Sequence, residues 1–244
     1  MASSTYSGST ASIKEDLDGS QEVLTLGVTL FVVGFASGPL IWAPLSEQLG
    51  RRSLFIFTFG FMALCLGVAV ASPHIAVLLV LRFLAGAFGS SALTNSGGTI
   101  SDCHTPDQRG LAMAIFAAAP FLGPTLGPLV GGFLGAAAGW KWVEALLAIF
   151  AATITLVGVL VHYETYTPYL LRQRAHLLTK TTGRHYRSIL DQDISVPVKE
   201  QFKVALSRPW KLLFTEPVVL ILSLYVAIIY ATLYRYVGRF LMFS

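Results

Sequence analysis

Six stretches of this 244-residue chain, at about 23–44, 53–71, 75–98, 110–134, 141–162 and 213–234, are each long enough as helices to cross a bilayer. The hydrocarbon core they would span is roughly 30 Å thick. The chain has 17 Lys+Arg and 13 Asp+Glu side chains, and within these stretches the charges are Arg82, Lys141, Glu144 and Glu216. A backbone in lipid must satisfy its own hydrogen bonds, so segments of this length read as helices. The sequence therefore predicts an all-α, polytopic membrane bundle of about six transmembrane helices. The mean hydropathy of +0.66 agrees, being far above that of an ordinary soluble domain.

Charge placement divides the chain further. Residues 1–22 read as a polar N-terminal tail, Ser/Thr-rich with Glu15, Asp16, Asp18 and Glu22, and without the basic start and apolar core of a signal peptide. Residues 23–162 hold five spans, 163–212 form a polar linker, and 213–244 carry the sixth span. Alternate connections hold Arg51 and Arg52, then Arg109, then nine cations from Arg172 to Lys211, whereas the intervening ones hold few. By the positive-inside rule the basic set faces the cytoplasm. The pI near 9.1 then reflects topology and leaflet contact, with no need of nucleic acid. In the linker, Tyr166 to Lys180 sets Leu170, Leu171, Leu177 and Leu178 among basic residues. That spacing suits either an amphipathic helix on the membrane surface or a solvated linker helix.

The fourth stretch concentrates helix breakers. Gly123, Gly127 and Gly131 recur every four residues and share a face, with Gly132 beside them, while Pro120, Pro124 and Pro128 form an adjacent stripe. Such a helix is built to bend and to be approached closely, by a partner helix across a small-residue seam or within a moving bundle.

Between the first two stretches, Ala43 to Arg52 makes a tight reversal at Gly50. Glu47, Arg51 and Arg52 can pair with one another or with Asp102, and with Arg109 they form a candidate cytoplasmic latch. Plain positive-inside anchoring explains the arginines equally well. Arg82 lies inside the third stretch, where an arginine costs about 2.5–3.5 kcal/mol at the centre. It either faces a water-filled interior, in company with the polar residues of its own helix, or snorkels to the outer headgroups. Asn95, Tyr225 and Tyr230 are candidate cavity-lining residues. The five histidines and two cysteines are dispersed, no nucleotide-binding or nucleophile-elbow motif occurs, and no metal or cofactor is expected.

Together these motifs resemble the major facilitator superfamily, and within it the twelve-span drug:proton antiporters of fungi. Ala43 to Arg52 is similar to the superfamily's motif after its second helix, with Ala43 in the first glycine's place and Glu47 in the aspartate's. Arg82-Phe83-Leu84-Ala85-Gly86 resembles the arginine-centred motif of the fourth helix, which implies a part in proton coupling for Arg82. Gly123 to Gly132 resembles the fifth-helix antiporter motif, Glu164 to Pro168 the start of the central loop, and Glu216-Pro217 the opening of the seventh helix. The resemblance implies that helices two to seven are represented, that the first helix and most of the second half are missing, and that the fragment alone is inactive. It further implies proton-coupled efflux of small hydrophobic or cationic compounds by the full-length parent, in the plasma or vacuolar membrane, with lipid, substrate and protons as partners. The alternative is a non-transporting fragment, either functionless or associating with full-length transporters through exposed glycine faces such as Gly34 with Gly38 and Gly123 with Gly127.

Overall fold

The computed structural model describes residues 2–17, 20–188 and 198–242, and all regular structure among them is helical. In chain order the helices are α1 (Ala2–Ser7), α2 (Thr10–Leu17), α3 (Gln21–Leu49), α4 (Arg51–Val70), α5 (Ile75–Gly89), α6 (Ser91–Cys103), α7 (Pro106–Ala138), α8 (Trp140–Val161), α9 (Thr167–Thr182), α10 (Val198–Thr215) and α11 (Pro217–Met242). Six spans long and apolar enough to cross a membrane result, in α3, α4, α5 with α6, α7, α8 and α11. Their outward faces carry large apolar side chains, such as Leu111, Phe133, Leu160 and Val218, each at least two-thirds exposed in the absence of lipid. This is the pattern that hydrocarbon contact requires of a helical bundle.

Small residues set the helix pairings. On α3, Gly34 and Gly38 face the backbone of α5, and Gly86 of α5 returns the contact to Phe31. A Cβ on Gly34 would lie 2.9 Å from the Ala87 nitrogen, and one on Gly86 would lie 3.0 Å from the Phe31 carbonyl carbon. These two helices therefore touch backbone to backbone, and the Gly34–Gly38 face expected to be exposed is an internal seam. α4 packs on α8 in the same manner, with Gly158 beneath the Phe55 ring. The span formed by α5 and α6 is jointed at Ser90, where the Ala87 carbonyl accepts from the Ser90 hydroxyl at 2.7 Å and the Trp42 indole at 2.6 Å. Side-chain donors that compete with the helix ladder are a recognised cause of such kinks.

The expected polar tail is not a tail. Helix α1 is buried from Ala2 to Tyr6 and lies against α7. The serine and threonine hydroxyls at its end and in the segment after it bond within the protein: Ser7 donates to the Ser4 carbonyl, Ser9 to that of Tyr6, Thr10 to that of Ser7, and Ser12 to that of Gly135. Polarity read along the sequence misled here because short hydroxyl side chains bond back to nearby carbonyls and then present a small, neutral surface. Tyr6, Ile13 and Leu24 join Ala69, Leu78 and Trp140 in one of two apolar clusters, and the Trp140 indole donates to Asp16 at 3.0 Å.

Candidate functional site

Three features meet around α1. The first is a buried ion pair. Arg82 on α5 and Glu144 on α8 are both fully enclosed, at 0% and 1% exposure, and the Arg82 guanidinium donates to the Glu144 carboxylate. The second terminal nitrogen of Arg82 donates to the Ala2 carbonyl at 2.8 Å, and the guanidinium carbon stands 3.7 Å from the centre of the Tyr6 ring. Phe31 supplies a further ring at 5.6 Å. Arg82 thus points inward, but into a closed, aromatic-walled site rather than the water-filled interior expected of it. Arg82 Nε, the second Glu144 oxygen and the Tyr6 hydroxyl have no hydrogen-bond partner among the described residues. A buried charge pair of this kind is costly to desolvate, and intramembrane ionisable groups are characteristically functional. Glu144 was not among the expected site residues.

The second feature is the glycine groove of α7. Pro124, Gly127, Pro128, Gly131 and Gly135 are buried. A Cβ on Gly127 would lie 2.9 Å from the Ser4 Cβ, and one on Gly131 would lie 2.8 Å from the Thr5 carbonyl carbon. The Ser4 hydroxyl donates to the Gly123 carbonyl at 3.3 Å. The groove is consequently filled from within by α1, so Gly123 and Gly127 do not offer a bare association face. Gly132 belongs to the same motif but faces open space.

The third feature is a cavity of about 600 Å³ bounded by α1, α3, α6, α7 and α11. Phe31 and Phe35, Pro120 and Pro124, and Tyr230 and Tyr234 make up much of its wall, and no charged side chain lines it. Polar character comes from hydroxyls, with Ser3 and Tyr234 hydrogen-bonded at 2.9 Å. Tyr230 lines the cavity as expected and stacks on Phe121 at 5.4 Å. Tyr225 and Asn95 do not. Tyr225 is exposed on the outer side of α11, and Asn95 is buried in α6, where its backbone carbonyl accepts from Arg51 and Thr99.

At one end of the bundle the charged loops converge. Arg51 forms an ion pair with Asp102 at 3.0 Å, and its guanidinium takes the space left by the missing side chain of Gly98. Glu47 is exposed and belongs to no ion pair among the described residues, and Arg109, in the first turn of α7, donates to the Ser101 carbonyl near the end of α6. Like Glu144, Glu164 has a structural part that the sequence does not announce. Its carboxylate accepts from the backbone N–H groups of Arg51 at 3.0 Å, Arg52 at 3.1 Å and Tyr166 at 3.1 Å. An anion capping the first turn of α4 satisfies donors that have no intrahelical partner and complements the helix dipole. Gly50, at φ +83°, permits this: a Cβ there would lie 3.0 Å from the Glu164 carboxyl carbon. Beside it, burial, with Glu47 adding to the effect, pushes the Tyr166 phenol above its usual range. Glu164→Ala is expected to cost about 1–2 kcal/mol, at the upper end for a lost N-cap because three donors are released. Gly50→Ala should cost at least as much, since it adds a strained backbone to the lost cap. Denaturant unfolding in detergent would check both.

The sequence matches the Major Facilitator Superfamily over residues 1–243. The chain belongs to that superfamily. The match includes the segment read as a tail. Among similar proteins, this superfamily member is 53% identical to an MFS-type efflux pump of Trichophyton rubrum over 98% of the chain and 40% of the relative. It is 51% identical to a major facilitator superfamily multidrug transporter of Aspergillus fumigatus, over 96% of the chain and 39% of the relative. An efflux pump of Fusarium oxysporum is 48% identical over 98% of the chain and 41% of its own length. The chain thus spans about two-fifths of the length of these relatives. Superfamily membership and six apolar spans make it a multi-pass membrane protein.

Proposed function

We propose that these residues form part of a proton-coupled exporter of small hydrophobic compounds, with the Arg82–Glu144 pair as the element that responds to protons. The pair carries the reading: an enclosed guanidinium and carboxylate, each with an unpartnered polar atom, one residue away from a cavity-lining serine. A proton taken up by Glu144 would cancel its charge and release Arg82 to the Ala2 carbonyl and the Tyr6 face. Ala2 and Tyr6 lie on the same short helix as Ser3, so loosening at Arg82 reaches the cavity wall directly. Superfamily transporters bind substrate near the midplane and rock two halves about it, so the complete cycle is proposed for a protein containing both halves. For these 244 residues alone the expectation is membrane insertion without coupled efflux. Uncharged cargo is favoured over cationic cargo, because none of the lining side chains is acidic. The Arg51–Asp102 pair and the Glu164 cap would hold the cytoplasmic end in one conformation.

The test is a chimera in which residues 2–242 replace the matching segment of the Trichophyton rubrum relative, assayed for efflux of a neutral dye against an imposed proton gradient. Glu144→Gln is expected to abolish the dependence of efflux on the gradient while leaving dye binding within a few-fold. Gradient-driven efflux undiminished in both Glu144→Gln and Arg82→Ala would remove the pair from the mechanism.

A further inference from the structure

We infer that α9 and the turn after it form a docking surface for anionic lipid headgroups on the membrane the protein is embedded in. From Thr165 to Ser188 the chain contains five cations, Arg172, Arg174, Lys180, Arg184 and Arg187, and no aspartate or glutamate. The helix has no buried residue, and Leu171, Leu177 and Leu178 are exposed along it. Leu171, Arg174 and Leu178 fall on one stripe and Leu177 and Lys180 on the next, so leucines and cations share a surface. In water that arrangement exposes apolar area to no purpose. At a headgroup boundary the leucines enter the acyl region while the long cationic stems reach up to phosphate.

Position and local structure favour the bilayer as the occupant. α8 ends at Val161, the exposed ring of Tyr163 follows at the level where interfacial aromatics sit, and Glu164 ties the next turn to the first residues of α4. Helix α9 therefore starts at the membrane boundary. At its far end Gly183, at φ +70°, closes the helix with its N–H on the Thr179 carbonyl. The chain then turns back, with the Tyr186 N–H donating to the Thr179 hydroxyl at 3.0 Å. This reversal gathers Lys180, Arg184 and Arg187 at the helix C-terminus. Among the described residues no ion pair involves them. A concentrated positive corner with no ion-paired carboxylate among the described residues attracts an anionic leaflet within a Debye length and gains nothing from a zwitterionic one. The inference is independent of the transport reading.

The experiment uses the whole chain in nanodiscs, in a Cys65→Ala/Cys103→Ser background, with a spin label at Leu178→Cys or, separately, at Leu171→Cys. Discs of phosphatidylcholine alone are compared with discs containing a third phosphatidylserine. With the anionic lipid, both labels should shift from collision with a water-soluble nickel complex to collision with oxygen in the acyl region. The shift should be lost in high salt and in the Arg174→Gln/Lys180→Gln/Arg184→Gln/Arg187→Gln variant, whose changes touch no buried side chain. Labels that stay water-accessible in both discs would overturn the proposal. So would labels protected equally in both, which would mean that protein, not anionic lipid, covers α9.

Discussion

Glu144→Ala is expected to destabilise the folded chain by about 3–5 kcal/mol, because it leaves the Arg82 guanidinium enclosed and without its counter-charge. The remaining partners, the Ala2 carbonyl and the rings of Tyr6 and Phe31, offer a dipole and two π faces in place of a full charge. Arg82→Ala should cost a similar amount, since it strands the carboxylate and empties the space under the Tyr6 ring. The paired replacement Arg82→Met/Glu144→Leu should recover most of the loss, because no buried charge remains and the volumes are roughly kept. Reversible unfolding in mixed micelles would measure all three, and the contrast between single and double variants is the decisive quantity. Asp102→Asn provides the reference: its pairing with Arg51 lies at the partly exposed end of the bundle, where such pairs are worth about 0–1 kcal/mol. If the single Arg82 and Glu144 variants were as mild as this, the pair would have to be hydrated rather than enclosed.

The same pair shows what the sequence made legible and what it did not. The six spans follow from uncharged runs of about twenty residues, because lipid leaves the backbone no alternative to helix. The Arg51–Asp102 contact was among the pairings foreseen, since both residues fall on the same predicted side. Glu144 stands 62 positions from Arg82, and no periodicity joins them. Charge balance narrows the choice without deciding it: Lys141 opens its stretch, while Glu144 and Glu216 each lie three residues inside theirs, so Arg82 has two candidate counter-charges. Helix α1 was missed for a different reason. Hydropathy averages score a serine by its hydroxyl as if it met water, whereas Ser4, Ser7 and Ser9 spend theirs on nearby carbonyls. Glu164 reads in the sequence as the start of a loop, but its role depends on where the first turn of α4 lies in space, and nothing local records that. The glycine stripe was read correctly as a site of close approach. Its occupant could not be read, because a groove specifies the width of what enters it and not the identity.

That groove gives the second large expected effect. Gly131→Val should displace α1 from α7, because the new side chain would meet the backbone of Thr5, which cannot step aside as a flexible side chain would. Overpacking of this kind typically costs about 1–3 kcal/mol, and departure of α1 adds the re-exposure of Tyr6, about 2 kcal/mol as an upper estimate. Departure would also take the Ala2 carbonyl from Arg82 and Ser3 from the cavity wall. A maleimide probe at Ser4→Cys, in a Cys103→Ser background, should be unreactive in the otherwise unaltered chain and reactive when Gly131→Val is added. The neighbouring residue separates packing from helix propensity. Gly132→Ala and Gly131→Ala gain the same propensity, about 1 kcal/mol for a helical glycine replaced by alanine. A Cβ at Gly132 enters open space, whereas one at Gly131 enters the Thr5 backbone. Gly132→Ala should therefore be neutral or stabilising and Gly131→Ala destabilising, with Ser4→Cys reactive only in the latter. Equal behaviour of the two alanines would mean that α1 does not occupy the groove, and the link drawn from the ion pair to the cavity through Ala2, Ser3 and Tyr6 would lose its physical basis.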